Sequence, residues 1–209
     1  MNTKITIIGA GNLGTSLVKG LLESKIYNPE NFTLTRRNTS KLSNFRELGC
    51  AVFTDNNESI TNANIIILAV LPQKINEILH ELKGNVQENQ LVISLVSGVK
   101  VKNIQDILGS NIPVVRAMPN TAIAIRESMT CIATTGNWKS RISEVEELFN
   151  LVGETIVINE EQMTSATALC ACGIAFFLRA IRAASQGGNE IDFHANEALK
   201  MAAQTAKGY

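Results

Sequence analysis

The sequence lacks any excess of charge of one sign. Its 19 basic residues balance 19 acidic residues, so the formal net charge at neutral pH is zero. Nucleic-acid-binding proteins and proteins that attach to anionic membranes usually carry clustered positive charge. We therefore expect neither nucleic acid nor a membrane among the partners of this protein.

Cysteine is scarce, and the cysteines are not spaced as in a disulfide framework. The four cysteines are Cys50, Cys131, Cys170 and Cys172. A chain of 209 residues is long enough to form a stable core without disulfide bonds. We expect free thiols, a reducing compartment and a cytoplasmic location. In CACG (170–173) the two cysteines are too close for a C-x-x-C redox motif, and no further ligand lies nearby in sequence, so no metal site is predicted.

Long apolar runs are also missing. The N-terminal run reaches only Gly9 and has no cleavage site of the kind that follows a signal peptide. The run from Met163 to Leu178 is shorter than the about 20 residues that a membrane span requires, and Arg179 and Arg182 follow it. A helix that is apolar on nearly every face is expected to be buried, either in a core or between subunits.

What the sequence does contain is an alternation of short apolar runs and helical periodicity. NIIILAV (64–70) is continuously apolar after its first residue, as in a strand of a parallel sheet that is covered on both faces. After ETIVINEE (154–161) the strand pattern stops, and two helical segments separated by GGNEID (187–192) follow. We predict an α/β protein with a doubly wound sheet over residues 1–159 and an all-helical segment over residues 160–209.

One glycine motif points to a ligand. IGAGNLG (8–14) has the spacing G-x-G-x-x-G, follows a strand directly and opens a helix. Glycine permits the tight turn there and lets backbone N–H groups approach a pyrophosphate, which the helix dipole also favours. This context disfavours the alternative of a glycine-rich turn without a ligand. We predict a Rossmann-type dinucleotide-binding domain whose loop residues are Ile8, Gly9, Ala10, Gly11, Asn12, Leu13 and Gly14.

The end of the second predicted strand bears on which dinucleotide binds. Sites that prefer NAD usually have an acidic residue there, which bonds the ribose 2′-hydroxyl. This chain instead has Thr35, Arg36, Arg37 and Asn38. Guanidinium groups suit a 2′-phosphate because they donate planar, charge-assisted hydrogen bonds. We predict NADP(H), with NAD(H) as the alternative if the two arginines form only a solvated surface pair.

Several stretches, taken in order, resemble pyrroline-5-carboxylate reductases: GAGNLG, ILAVLPQ, LVISLVSGV, VVRAMPNT, ALCACGIAFF and ALKMAAQTAKG. The resemblance covers essentially the whole chain, and VVRAMPNT (114–121) is its most specific piece. It implies an oxidoreductase of proline biosynthesis. Such an enzyme reduces the C=N bond of 1-pyrroline-5-carboxylate to L-proline with hydride from NAD(P)H, and its helical domain forms homodimers or larger homo-oligomers.

The resemblance also implies positions for the ligands. Thr35 and Arg36 are expected beside the adenosine ribose and Asn56 near the adenine, while Asn120 and Thr121 are expected on the floor of the substrate cleft. A further set is expected along the nicotinamide half of the cofactor: Ala69, Val70, Leu71, Pro72 and Ser97.

The helical part departs from the family pattern. The family usually has Ser-Gly-Ser-Gly-Pro-Ala-Tyr in the loop that receives the substrate carboxylate, whereas this chain has CACGIAF (170–176). Cys170 and Cys172 replace two hydroxyl donors with weak thiol donors. Gly173 matches, and backbone N–H groups can still serve. We therefore predict Cys170, Cys172 and Gly173 as substrate-binding residues.

No catalytic residue is predicted. His80 and His194 are single histidines in helical segments, and no other side chain stands out as a proton donor. The family's SPGGTT-like loop, whose threonine contacts the substrate nitrogen, is expected beyond Tyr209. We expect either that the sequence is cut short of the natural chain or that the protein lacks part of the family's substrate site.

Three hypotheses follow from these features. The first is a pyrroline-5-carboxylate reductase. The second is a divergent NADP-dependent reductase of another imine or carbonyl compound, because the carboxylate loop has changed. The third is a non-catalytic NADP(H)-binding relative.

Overall fold

The computed structural model describes residues 3–208 of the chain, which form one sheet with flanking helices. Within those residues the strands are β1 (Ile5–Ile8), β2 (Phe32–Thr35), β3 (Ala51–Phe53), β4 (Ile65–Leu68), β5 (Leu91–Ser94), β6 (Val114–Met118), β7 (Ser128–Ala133) and β8 (Gly153–Val157). Their order across the sheet is β3-β2-β1-β4-β5-β6-β7-β8. Every pair is parallel except β6 and β7, which are antiparallel. The predicted fold class, an α/β Rossmann-type sheet followed by helices, is confirmed.

The α-helices are α1 (Asn12–Glu23), α2 (Ser43–Leu48), α3 (Asn56–Ile60), α4 (Ile75–Leu82), α5 (Val101–Leu108), α6 (Ile142–Asn150), α7 (Met163–Ala166), α8 (Gly173–Glu190) and α9 (Ala195–Lys207). A π-helical turn, Thr167–Ala171, joins α7 to α8, and a short 3-10 turn, Glu160–Gln162, precedes α7. From residue 160 to residue 208 the chain therefore contains helices and no strand.

Two apolar clusters cover the two faces of the sheet. Ile65 and Ile67 of β4 belong to one cluster, and Ile66 and Leu68 belong to the other. All four side chains are buried. The continuously apolar run in the sequence therefore reflects a central strand that helices cover on both sides.

The predicted break in the helical segment was misplaced. GGNEID (187–192) was expected to separate two helices, but α8 continues through both glycines to Glu190. A Cβ atom added at Gly188 would lie 2.8 Å from the Cβ atom of Ala198 in α9. Gly188 thus permits close packing of α8 on α9, and the chain turns only after Glu190.

The helical segment leaves a large apolar surface uncovered. Phe176 is 66% exposed, Phe177 is 71% exposed and Leu169 is 75% exposed. The continuous helical stretch Glu160–Glu190 has 31 residues, a mean hydropathy of 1.6 in its most apolar window and only 6% of that window buried. By length and composition this stretch could cross a membrane, contrary to the expectation from the shorter apolar run. The same properties suit a helix that packs on another subunit.

Candidate functional site

A cavity of about 730 Å³ opens at the carboxyl ends of β1, β2 and β4. Ile8 ends β1, Thr35 ends β2, and Ala69 and Val70 follow β4, and all four residues line the cavity. β1 lies between β2 and β4 in the sheet, so the strand order reverses direction at this point. Open α/β sheets bind their ligands at such a position, and the volume is that of a small-molecule site.

The cavity brings together most of the residues that were predicted to bind a dinucleotide. The predicted residues that line it are Ile8, Gly9, Gly11, Asn12, Leu13, Thr35, Arg36, Arg37, Asn56, Ala69, Val70 and Leu71. Ala10 and Gly14 lie behind this surface, because both are buried. Pro72 and Ser97 are exposed on the surface outside the cavity lining.

The three glycines of the loop are needed for different reasons. Gly9 has a φ of +81°, and a Cβ atom there would collide with Val70. A Cβ atom at Gly14 would lie 2.9 Å from Cγ2 of Ile7, so this glycine permits close packing of α1 on β1. At Gly11 the nearest atom to such a Cβ would be the Gly9 carbonyl oxygen at 3.8 Å. Packing within the protein therefore does not require glycine at position 11, whereas close approach of a ligand does.

The start of α1 provides donors for an anion. Gly11 is its N-cap residue and has no side chain that could cap the helix. The first N–H groups of a helix have no partner inside it, and the helix dipole places partial positive charge there. Since Gly11 and Asn12 line the cavity, this end of the cavity suits a pyrophosphate.

Thr35 connects the glycine loop to α3 and α4. Its hydroxyl donates to Oδ1 of Asn56 over 2.6 Å and lies 3.4 Å from the N–H of Gly9, which donates to it. The Asn56 amide in turn donates to both carboxylate oxygens of Glu81, at 3.0 and 3.1 Å. The resemblance implied that Thr35 lies beside the ribose. In the structure its hydroxyl is buried and engaged, so it orients the loop and Asn56.

The outer end of the cavity is rich in charge. Arg36 donates from Nη1 to the Ala10 carbonyl oxygen over 3.1 Å, and Arg37 lines the cavity together with Lys74 and Glu77. Nζ of Lys74 lies 2.6 Å from Oε2 of Glu77. The hydrogen bond and the charge of Lys74, and more weakly the charge of Arg37, hold the pKa of the Glu77 carboxyl below its ordinary value of 4.5. Glu77 is therefore ionised at neutral pH.

A second, smaller pocket of about 340 Å³ adjoins this end of the cavity. It shares Asn12 and Arg36 with the larger cavity, and Lys19 and Lys41 contribute two further cations. Arg36 thus lines both spaces, and each of them is also lined by lysine.

Asn120 links the sheet to the helical segment. It follows β6, and its backbone N–H donates to Oγ of Ser128 over 3.1 Å. Its side-chain Oδ1 accepts from the N–H of Ala122 at 3.0 Å, and its Nδ2 donates to the backbone carbonyl of Cys170 at 3.3 Å. Thr121 is exposed beside it. Asn120 therefore lies where the sheet and the helical segment meet, and its place on the floor of a substrate cleft stays a prediction.

Comparison with known proteins decides the family. Residues 4–98 match a family model described as NADP oxidoreductase, coenzyme F420-dependent, and residues 160–209 match a model of the pyrroline-5-carboxylate reductase dimerisation domain. Pyrroline-5-carboxylate reductase 2 of Dictyostelium discoideum is 41% identical over 223 residues, which cover 99% of this chain and 75% of that protein. The chain belongs to the pyrroline-5-carboxylate reductase family. The predicted family is confirmed.

Other members of the family agree with this assignment. Pyrroline-5-carboxylate reductase 1 of the same organism is 43% identical over 216 residues, which cover 98% of this chain but only 39% of that longer protein. The crystal structure of the Plasmodium falciparum pyrroline carboxylate reductase has the same fold, with a TM-score of 0.90 at 24% identity. That alignment covers 99% of this chain and 77% of the Plasmodium chain.

The structure distinguishes Cys170 from Cys172, the two cysteines that were predicted to bind the substrate. Sγ of Cys170 lies 3.7 Å from Sγ of Cys131 in β7, so the Cys170 thiol faces the sheet. Burial, and then the neighbouring Cys170 thiol, raise the pKa of Cys131 to about 11. Cys172 is exposed, and Gly173 is buried at the start of α8. Of the two thiols, the one that can face a ligand is therefore that of Cys172.

Sequence reasoning missed several residues near the candidate site. Lys74, Glu77 and Glu81 line the cofactor cavity from α4 and the turn before it. Their spacing in sequence is that of an ordinary amphipathic helix, so no local signal distinguished them from solvated side chains. Within residues 3–208, no group of three or more His, Cys, Asp or Glu side chains is placed to hold a metal ion.

Proposed function

We propose that this protein is an NAD(P)H-dependent oxidoreductase that reduces the C=N bond of 1-pyrroline-5-carboxylate to give L-proline. The names and the coverage of its relatives support this activity. The observation that carries the proposal is the cavity beneath the glycine loop, where Gly11 leaves room for a ligand that the protein's own packing does not use. We also propose a cytoplasmic location, which the free cysteines support.

The residues of this chain fit a dinucleotide cofactor. The N–H groups at the start of α1 would hold the pyrophosphate, and Ala69, Val70 and Leu71 would line the nicotinamide half. When bound, the reduced cofactor supplies the hydride. The contribution of the chain is to hold the substrate at a suitable distance and orientation, because hydride transfer depends mainly on positioning.

The substrate itself is proposed to bring the proton. Both His80 and His194 are exposed and lie outside the lining of the cofactor cavity. If the ring nitrogen of the imine is already protonated, hydride addition to the neighbouring carbon moves the C=N π-electrons onto nitrogen. The product is then a neutral secondary amine, and no side chain has to donate a proton during that step.

Preference for NADP(H) over NAD(H) is the finer part of the proposal. Arg36 and Arg37 line the cofactor cavity, and Arg36 also lines the smaller pocket with Lys19 and Lys41. A 2′-phosphate placed among these cations would gain charge-assisted hydrogen bonds. The Plasmodium crystal structure has NADP bound, which agrees with this interpretation.

The cofactor preference is tested with Arg36→Ala and Arg37→Ala. Titration calorimetry with NADPH and NADH gives the affinity ratio for each variant. We expect at least one substitution to lower the ratio about tenfold, the scale of a lost charge-assisted hydrogen bond. If both substitutions leave the ratio unchanged, the two arginines do not bind a 2′-phosphate, and this account of the preference for NADP(H) is refuted.

Homodimer formation is proposed through the apolar surface of α8. The family model that matches residues 160–209 is named for dimerisation, and Phe176 and Phe177 are largely exposed in the single chain. An apolar patch of this kind is typical of an interface between subunits. Light scattering coupled to size-exclusion chromatography is expected to give at least twice the chain mass. A monodisperse monomer would contradict the proposal.

The activity is tested by following NADPH oxidation in the presence of 1-pyrroline-5-carboxylate. Turnover to L-proline supports the proposal. Turnover of another cyclic imine, but not of this one, would favour the divergent reductase. NADPH binding without turnover of any imine would favour a non-catalytic relative.

A further inference from the structure

One carboxylate oxygen joins three parts of the molecule. Oε1 of Glu160, at the start of the helical segment, lies 3.4 Å from Nη1 of Arg116 in β6. The same oxygen accepts from the backbone N–H of Val101, the first residue of α5, over 2.7 Å. The side chains of Arg116 and Glu160 are only 5% and 9% exposed. The ion pair is therefore buried at the point where the chain leaves the sheet domain.

The physical chemistry of this pair favours a geometric role. Burying two charges is costly, and the mutual attraction does not reliably exceed the loss of hydration. Nε of Arg116 is buried without a hydrogen-bond partner among the described residues, so the pair is not fully satisfied. The N-terminus of α5 adds favourable charge for the carboxylate and fixes its direction. An apolar pair of the same size could fill this space but could not fix the direction of the chain in this way.

The pair lies on the same two stretches of chain as Asn120, which was predicted on the floor of the substrate cleft, and Cys170, which was predicted to bind the substrate. Arg116 precedes Asn120 along β6 and the turn after it, and Glu160 precedes Cys170 along the helical segment. Asn120 donates to the Cys170 carbonyl, so the two stretches are connected a second time. Between the two connections, Met163 packs in an apolar cluster with Met118 and Cys131. The position of Cys170 relative to Asn120 therefore depends on where Glu160 is held.

We propose that Arg116 and Glu160 are positioning residues for the substrate site. They hold the start of the helical segment on β6 and α5, so that the stretch Cys170 to Gly173 lies over Asn120. This inference rests on the proposed function, because the substrate is assigned to that cleft. Neither residue lines the cofactor cavity. Loss of the pair is therefore expected to impair use of the substrate while cofactor binding is retained.

The test uses Glu160→Gln, which keeps an oxygen acceptor for the Val101 N–H but removes the charge opposite Arg116. Asp106→Asn is the matched control, because it removes a carboxylate from the exposed Lys102–Asp106 pair on α5. In Glu160→Gln, kcat/KM for 1-pyrroline-5-carboxylate is expected to fall by about ten- to a hundredfold, the scale of a misplaced reacting group. The Kd for NADPH, measured by calorimetry, is expected to stay within about twofold, and the control is expected to resemble the wild type in both measurements.

Two results would overturn the inference. One is a folded Glu160→Gln variant whose kcat/KM stays within about twofold of the wild-type value. The other is a parallel loss of kcat/KM and NADPH affinity, which would indicate general destabilisation. If Glu160→Gln does not fold, Arg116→Lys is assayed instead. It retains the charge but not the planar donors. We therefore expect kcat/KM to fall by a smaller factor than in Glu160→Gln, and the Kd for NADPH again to stay close to the wild-type value.

Failure of the proposed function is recognised separately. If the wild-type protein does not turn over 1-pyrroline-5-carboxylate, the activity is refuted, and hydrogen exchange then decides the positioning role. Glu160→Gln is expected to speed amide exchange in residues 160–173 and to leave the glycine loop unchanged. Unchanged exchange in residues 160–173 would overturn the inference without reference to any substrate.

Discussion

The side-chain amide of Asn120 donates to the backbone carbonyl of Cys170 over 3.3 Å, and this hydrogen bond joins the sheet to the helical segment at the candidate cleft. Asn120→Asp replaces the donor with an oxygen and brings a carboxylate against a carbonyl, while the cap on the Ala122 N–H is retained. We expect kcat/KM for the imine to fall about tenfold or more, as when a hydrogen bond at a reacting site is lost. Steady-state kinetics provides the measurement, and an unchanged kcat/KM would show that this contact does not shape the cleft.

The glycines at positions 11 and 14 separate ligand binding from folding. Gly11→Ala introduces a Cβ atom whose nearest atom beyond the adjoining residues is 3.8 Å away, whereas Gly14→Ala places one 2.9 Å from Ile7. We expect Gly11→Ala to lower Tm only slightly, since alanine is a poorer N-cap residue than glycine, but to weaken NADPH binding about tenfold or more, because the added methyl group occupies the path of the pyrophosphate. Gly14→Ala is expected to lower Tm by several degrees, as overpacking costs about 1–3 kcal/mol.

Thermal unfolding without ligand and calorimetry with NADPH measure the two effects. Equal NADPH affinity in Gly11→Ala and the wild type would contradict the placement of the pyrophosphate at this loop.

The exposed cysteine offers a test of the carboxylate loop. A hydroxyl is a better donor than a thiol, so Cys172→Ser is expected to lower KM for 1-pyrroline-5-carboxylate about two- to tenfold, the scale of one net hydrogen bond. Cys170→Ser is the matched control, because the Cys170 thiol faces Cys131 and is expected to contribute little to KM. An unchanged or higher KM both in Cys172→Ser and in the double variant Cys170→Ser/Cys172→Ser would leave the cysteines with a packing role only.

Two buried thiols predict how stability changes with pH. Burial raises the pKa of Cys50 from 9.0 to about 11, and burial together with Cys170 raises the pKa of Cys131 to about the same value. A thiol whose pKa is higher in the folded state stabilises the protein fully below pH 9, and this contribution is lost as the pH rises toward 11. We expect the free energy of unfolding to fall over that interval.

Denaturant titrations at pH 8 and pH 10 check this expectation. Cys50→Ala is expected to reduce the difference between the two pH values, and Cys172→Ala, which changes an exposed thiol, is expected to leave it unchanged. A difference that is the same in all three proteins would assign the pH dependence to other groups.

Local patterns in the sequence were sufficient to predict the main strands and helices and the glycine turn. The apolar run at 64–70 predicted a central strand, the loss of the strand pattern after residue 161 predicted the helical segment, and the glycine spacing predicted the turn between β1 and α1. Each of these features depends on residues that are close in sequence, because strand burial, helix periodicity and turn geometry are local properties. The resemblance to one family added the expected positions of the ligands.

Predictions made from residue type were wrong where the role of a residue depends on its partner in the fold. Gly187 and Gly188 were interpreted as a helix break, but Gly188 permits close contact with Ala198. Cys170 and Cys172 were treated as equivalent, but one faces Cys131 and the other is exposed. In each case the partner lies elsewhere in the fold, and no local pattern identifies it.

By itself, the sequence determined the α/β class, the position of the dinucleotide loop and the change to an all-helical segment at residue 160. The tertiary structure alone decided which side chains meet: Thr35 with Asn56 and Glu81, Cys131 with Cys170, and Arg116 with Glu160. The physical reason is that helices and strands follow from periodicities of a few residues, whereas these contacts join residues brought together only when separate strands and helices pack.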